Sequence, residues 1–312
     1  MGWEERIIGR ADPEEAVRQV EYLFTHQVSA WPLLRSGLES LSRVRVRELR
    51  IRWFEVLVRH IPHRIDSTTA KVDPESISQR PCFLCPDKLP EEERGIEFGD
   101  DFVLLCNPYP ILDRHLAIVR KEHTPQRITG EFSAMLDLSR ILPGFVVVYN
   151  GPECGASAPD HLHFQACLHR GLPVIADVSR VSGMSIEDYA RNVLVLKGFD
   201  RVWLSERFEA VMERLSKTDP NRPEPMVNVV AFFADKEWVV MVFPRGKHRP
   251  TAYSSGELIF SPASIDLCGV PVLPVEDDFK KVGSTMIEKI FMEVTMDSDV
   301  FGDVVRDLEL LK

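Results

Sequence analysis

Apolar and polar positions recur with two different periods along the chain, and the change of period marks the elements. Asp12-Pro13-Glu14-Glu15 has the form of a helix start: Asp12 as N-cap, Pro13 at the first helical position and Glu15 closing a capping box. A helix is expected from there to about Leu38. Residues 43–60, RVRVRELRIRWFEVLVRH, alternate in part and are rich in β-branched residues, which predicts strand, and 61–81 read as an ordered loop. Apolar runs at 102–106 and 115–119 predict two strands separated by the turn-rich NPYPILDR. A helix is expected over 130–142, with strands at 145–149 and 162–168. Residues 185–196 and 203–217 read as helices, and the proline-rich TDPNRPEP leads into a second β region.

This succession gives an α+β class, with an antiparallel unit spanning roughly 80–173 and helices flanking it. Residues 227–250, VNVVAFFADKEWVVMVFPRGKHRP, echo 102–125, FVLLCNPYPILDRHLAIVRKEHTP, in the order strand, turn, strand, then a lysine and a histidine before a proline. The echo points to a duplicated unit. Three segments are therefore expected: 1–79 packing on the core, 80–218 carrying the chemistry, and 219–312 as a second, degenerate repeat that lacks the motif described next.

The motif is HLHFQ. In a strand, alternation sends His161, His163 and Gln165 to one face and Leu162, Phe164 and Ala166 to the other, so the second face is core and the first a site. A neutral imidazole is a competent nucleophile toward phosphorus, and a covalent intermediate splits one hard displacement into two easier ones. If a backbone carbonyl accepts one N–H of His163, its other nitrogen is left for attack, and the Gln165 amide can donate to a phosphoryl oxygen. The small residues Gly151, Gly155, Ala156 and Ser157 let backbone N–H groups approach a phosphate. Cys82-Phe83-Leu84-Cys85 has the spacing of two thiolates on one tetrahedral ion, with His123 and His161 as candidate partners and His115 as the alternative to His123.

Composition narrows the field. The 312 residues carry 38 Lys and Arg against 48 Asp and Glu, a formal charge of −10, without a long basic block, which disfavours nucleic acid as a partner. An anionic substrate then needs a local positive pocket. Lys71 and Arg245 are the favoured cations for it, with Arg64, Lys247, His248 and Arg249 behind them. Phe83, Phe102 and Tyr109 are candidates for base stacking. No apolar run is long enough to cross a bilayer and MGWEERIIGRADPEEA lacks the signal-peptide pattern, so a cytoplasmic protein without a membrane partner is expected.

Cys82-x-x-Cys85, His123, Asn150-Gly151, Gly155-Ala156-Ser157 and His161-x-His163-x-Gln165 together resemble the histidine triad superfamily. The resemblance is to its branch of galactose-1-phosphate uridylyltransferase, GDP-hexose phosphorylases and diadenosine tetraphosphate phosphorylase, and covers about 80–173 well. It implies an antiparallel sheet with flanking helices in two half-barrel-like repeats. It further implies a structural zinc held by Cys82, Cys85, His123 and His161, His163 as the nucleotidylated residue, Gln165 holding the transferred phosphoryl group, and Asn150 and Ser157 as phosphate contacts. Three residues separate Ser157 from His161 where the family pattern has two. The expected activity is transfer of a nucleoside monophosphate from a nucleotide-sugar or dinucleoside polyphosphate to phosphate or a sugar phosphate. The alternatives are dinucleoside polyphosphate hydrolysis and a zinc-containing nucleotide-binding protein without turnover.

Overall fold

The computed structural model describes residues 2–310. Its strands in chain order are β1 (Ile7–Arg10), β2 (Arg45–Ile51), β3 (Phe54–His60), β4 (Gly95–Phe98), β5 (Phe102–Cys106), β6 (Leu116–Arg120), β7 (Phe145–Asn150), β8 (His163–Leu168), β9 (Val181–Ser182), β10 (Ser185–Ile186), β11 (Leu194–Gly198), β12 (Val227–Ala234), β13 (Glu237–Pro244) and β14 (Val272–Leu273). Eleven make one sheet in the order β1-β4-β5-β6-β8-β7-β12-β13-β11-β10-β9, and β14-β3-β2 make a second. Only the β1–β4 and β14–β3 pairs are parallel, so the class is the expected α+β with an antiparallel sheet, which stays open and does not close into a barrel. Because β7 pairs with β12 and β11 with β13, the stretches 80–218 and 219–312 share that sheet.

Burial on both faces explains the near-continuous apolar strands. Along β7, Phe145, Val147 and Tyr149 enter a core with the helices Phe132–Ile141 and Arg201–Ser216, where the rings of Phe132 and Phe208 stack at 3.8 Å. Val146 and Val148 enter a second core on the other face with Phe54, Val56 and Val58 of the small sheet and Phe260 and Phe291 of the C-terminal region. That second core stops short of β5, β6 and the start of β8, and the site lies on the face it leaves uncovered. No helix among the described residues is long and apolar enough to cross a membrane.

The differences from expectation have local causes. The N-terminal helix is two, Ala16–Ala30 and Pro32–Leu41, because the residue before a proline is pushed out of the helical region and Trp31 is extended, φ −117° and ψ 100°. Residues 43–60 form a hairpin turning at Arg52, φ 52°. The loop at 61–81 contains the helical turns Pro62–Arg64, Ile65–Thr68 and Pro74–Ser78. Residues 185–196 are not helical: Asp188 and Ala190 have φ of 50° and 55°, and the run Val193-Leu194-Val195-Leu196 supplies β11, buried in the sheet. The two echoing segments are both strand pairs, but β12 and β13 turn on Asp235-Lys236, both left-handed, whereas β5 and β6 are joined by 107–115. That longer connection walls the site. A Cβ on Gly37 would lie 2.1 Å from the Pro108 carbonyl oxygen, so only glycine lets the helix Pro32–Leu41 back onto it.

Candidate active site and metal centre

Strand β8 turns Phe164 and Ala166 into the core, where Leu162 just before it also packs, and presents His163 and Gln165 to a cavity of about 710 Å³. The Nδ1 of His163 lies 2.8 Å from the His161 carbonyl oxygen, so Nδ1–H donates and Nε2 carries the free lone pair. Burial pushes the His163 imidazolium down to about 4, which keeps the ring neutral at neutral pH. Gln165 is oriented by a residue whose role the sequence reading did not assign. His115 Nδ1 accepts the Ile111 N–H at 3.2 Å, so its Nε2–H donates to Gln165 Oε1 at 2.8 Å. With its oxygen engaged there, the Gln165 NH2 is left to donate into the cavity. His115 is therefore a hydrogen-bonding partner of Gln165 and stands apart from the cysteines.

A second unassigned residue fixes the start of β8. The pairing of β7 and β8 ends at Val148 and Gln165, and the gap beyond is closed by Gln126. Its Nε2 donates to the carbonyls of Asn150 and His163 at 2.9 and 3.0 Å, and its Oε1 accepts the His163 N–H at 2.8 Å. No spacing signal announces a lone glutamine in such a role; it emerges only once two strands are seen to diverge around it.

Cys82, Cys85, His123 and His161 offer ligand atoms that all lie within 4.8 Å of one another. Sγ of Cys82 is 3.2 Å from His161 Nδ1, and Sγ of Cys85 is 3.2 and 3.6 Å from Nδ1 of His123 and His161. Tetrahedral Zn–S and Zn–N bonds imply S···N separations of about 3.6 Å. The tautomer also fits: His161 Nε2–H donates to the Arg120 carbonyl at 2.7 Å, which leaves the Nδ1 lone pair facing the thiols. Without a cation, burial pushes the Cys82 thiol up to about 12; a divalent ion reverses that preference. The four side chains can hold a metal ion, and the sulfur and imidazole donor set suits zinc.

The other residues singled out from the sequence divide. Lys71, Ser157, Phe83, Tyr109 and Arg64 line the main cavity, as does Arg80, whose guanidinium donates to the Ser157 carbonyl at 3.1 Å. Asn150, Gly155, Ala156, His248 and Arg249 line a smaller adjoining cavity of about 90 Å³, which Ser157 and Gln165 also border. Gly155 has φ +97°, and a Cβ there would sit 2.6 Å from that of Ala263, so glycine is required. Gly151 borders neither cavity: its N–H donates to Val227. Arg245 is buried away from both, donating to Asn228 and to the carbonyls of Pro262, Val294, Lys247 and His248. Lys247 pairs with Glu293 on the surface. Phe102 is core, its ring 5.7 Å from that of Phe164.

The model of a domain of unknown function (DUF4922) matches residues 23–168. No curated protein matches the sequence. Three solved structures of one yeast protein match nearly the whole chain. Ap4A phosphorylase Apa2 superposes with a TM-score of 0.64 at 16% identity, over 90% of this chain and 97% of that one. Its complex with AMP gives 0.61 at 17% identity over 88% and 95%, and its complex with Ap4A gives 0.56 at 16% over 86% and 97%. This chain therefore shares the fold of yeast Ap4A phosphorylase Apa2 over almost its full length.

Proposed function

We propose that the protein is a nucleotidyltransferase of the histidine triad superfamily that acts as a phosphorylase through a covalent nucleotidyl-histidine. The observation that carries this is the pairing of a neutral His163, its Nδ1–H held by the His161 carbonyl, with a Gln165 amide turned toward the same cavity by His115. His163 Nε2 attacks the α-phosphorus of a nucleotide-sugar or dinucleoside polyphosphate. The N–P bond forms as the bond to the departing sugar phosphate or nucleoside polyphosphate breaks. An oxygen of inorganic phosphate then attacks the same phosphorus and breaks the N–P bond, which returns His163 and releases the nucleoside diphosphate. Gln165, with Arg64, Lys71 and Arg80 around the cavity, offers donors to the charge that develops on the phosphoryl oxygens. Sharing a fold with a protein solved with AMP and with Ap4A supports a nucleotide substrate.

On this reading Cys82, Cys85, His123 and His161 hold a structural zinc, since four protein ligands leave no open position for a water. The test is intact-protein mass spectrometry at mildly basic pH after mixing with nucleoside diphosphate sugars and dinucleoside tetraphosphates. A mass gain of one nucleoside monophosphate, discharged by phosphate and absent in His163→Ala, is expected. Turnover retained in His163→Ala refutes the mechanism, and product formation indifferent to phosphate refutes phosphorolysis.

A further inference from the structure

The cavity contains a carboxyl that the proposed chemistry does not use. Glu93 is 5% exposed and lies on the cavity wall in the segment before β4. Its backbone is clamped from both sides. The Arg6 guanidinium donates to the carbonyls of Leu89, Glu91 and Glu93 at 2.9, 3.1 and 3.2 Å. Gln27 donates to the Glu92 carbonyl at 3.1 Å and accepts the Arg94 N–H at 2.9 Å. The carboxyl itself makes no hydrogen bond and no ion pair with any described residue. Burial accordingly pushes it up to about 8, with only the charge of Arg6 opposing. With no hydrogen-bond partner in the fold, the carboxyl is free to meet a polar group that enters the cavity.

Its surroundings indicate what would meet it. Leu84, Leu89 and Leu105 pack together, and with Trp31 they line the same cavity as Glu93, which gives it an apolar wall against which a planar ring can lie. Burial favours the protonated acid, but two N–H donors facing the carboxyl favour its ionised form, which offers two acceptor oxygens side by side. Guanine presents the matching pair of donors, N1–H and the 2-amino group, on one edge; adenine presents a donor beside an acceptor. We infer that Glu93 reads the Watson–Crick edge of a guanine, so that the nucleotide handled at this site is a guanine nucleotide. The inference deepens the proposed function and rests on it only for the use to which the base pocket is put.

Calorimetric titration of the full-length protein with GMP, AMP, IMP and 2′-deoxy-GMP tests it. None of these carries a leaving group, so binding is read independently of attack by His163. GMP should bind about tenfold or more tighter than AMP, and IMP, which lacks the 2-amino group, should be weaker than GMP. 2′-Deoxy-GMP should match GMP. Glu93→Gln, which places an amide donor against a guanine donor, should weaken GMP by about 10- to 100-fold and leave AMP unchanged or improved. Glu93→Ala should lose the GMP preference as well. GMP that fails to bind, or that binds no better than AMP, overturns the inference, as does a preference that survives both substitutions. A loss with 2′-deoxy-GMP as large as that with IMP would assign the carboxyl to the ribose and overturn it too. Guanine preference without a covalent adduct would leave the Glu93 assignment standing and remove the enzymatic reading. Adducts formed equally from every base would do the reverse.

Discussion

Gln126→Leu asks whether one buried amide holds the strand that carries His163. Gln126 is 0% exposed, and leucine fills a similar volume without polar atoms. The substitution strands the carbonyls of Asn150 and His163 and the N–H of His163, all bonded to the amide at 2.8–3.0 Å. Each unsatisfied buried group costs about 1–3 kcal/mol, and since the three are adjacent and relax together the sum should be roughly 3–6 kcal/mol. At ~2.1 cal/mol/K per residue the 312-residue chain has an unfolding entropy of roughly 0.65 kcal/mol/K, so the melting temperature should fall by about 5–9 °C. Differential scanning calorimetry reads that shift, and rapid-quench mass spectrometry reads the second effect, a nucleotidylation rate lowered about tenfold or more because the nucleophile is no longer fixed. Gln126→Glu sharpens the test: when ionised it can still accept from His163 N–H but can donate to neither carbonyl, so it should recover at most that one of the three bonds. A leucine variant that melts within about 1 °C of the native protein and labels at the native rate would refute the reasoning.

Other outcomes follow from neighbouring geometry. His115→Phe removes the donor that engages Gln165 Oε1, so the rate of the chemical step should drop about 10- to 100-fold with little change in KM; unchanged steady-state kinetics would mean that Gln165 is oriented by something else. Cys82→Ser should reduce bound zinc, measured by mass spectrometry of the metal, and lower the melting temperature; one equivalent of zinc and an unchanged melting curve would displace the metal site. Asp266 accepts N–H groups of Ala263 and Val272 at 2.8 Å each, yet burial raises its carboxyl from 3.8 to about 6. The folded chain thus keeps a proton that the unfolded chain has released between those values, so this group's contribution to stability grows as pH falls through 6 and is complete below 3.8. The stability of the native protein relative to Asp266→Asn should therefore move in its favour by up to about 3 kcal/mol between pH 7 and pH 4, read by urea unfolding at fixed pH; a difference that does not vary with pH contradicts the assignment.

How much of this was legible depended on whether a feature is written locally. The strands at 102–106 and 145–149 and the helix at 203–217 declare themselves through period and punctuation, and β8 through the alternation of Leu162, Phe164 and Ala166 against His163 and Gln165. Of the four residues that can hold a metal, the Cys-x-x-Cys turn is written locally, whereas His123 and His161 lie far from it in sequence and were singled out with it by the family resemblance. The stretch before β11 was misread as helix because Asp188 and Ala190 adopt left-handed φ values that their side chains do not advertise, whereas a glycine there would have. His115 and Gln126 act through partners 50 and 37 residues away, on β8 and at its start, and the backbone of Glu93 is held by Arg6, 87 residues away. Arg245 shows the converse: its turn and charge suggested a phosphate ligand, but five protein acceptors exhaust its guanidinium.

The four candidate metal ligands and His163 are joined by a single stretch of backbone, and on the proposed function this gives the ion a geometric role. His161 sends Nδ1 to the cysteines and Nε2–H to the Arg120 carbonyl, while its own carbonyl receives the Nδ1–H of His163. Between Cys82 and Cys85 the same knuckle carries Phe83 and Leu84 into the cavity wall. On the proposed function, an ion held by these residues would act on catalysis by fixing the rotamer of His163 and on binding by fixing that wall, in both cases through geometry. Chelation should therefore lower the melting temperature, weaken nucleotide binding and slow nucleotidylation together. Reloading with cadmium or cobalt, which accept tetrahedral sulfur and nitrogen ligands but differ from zinc as Lewis acids, should restore all three to similar extents. A metal-stripped protein that binds nucleotide and melts like the loaded one while losing only its rate, with recovery that depends on which ion is returned, would place the ion in the chemistry and break this argument.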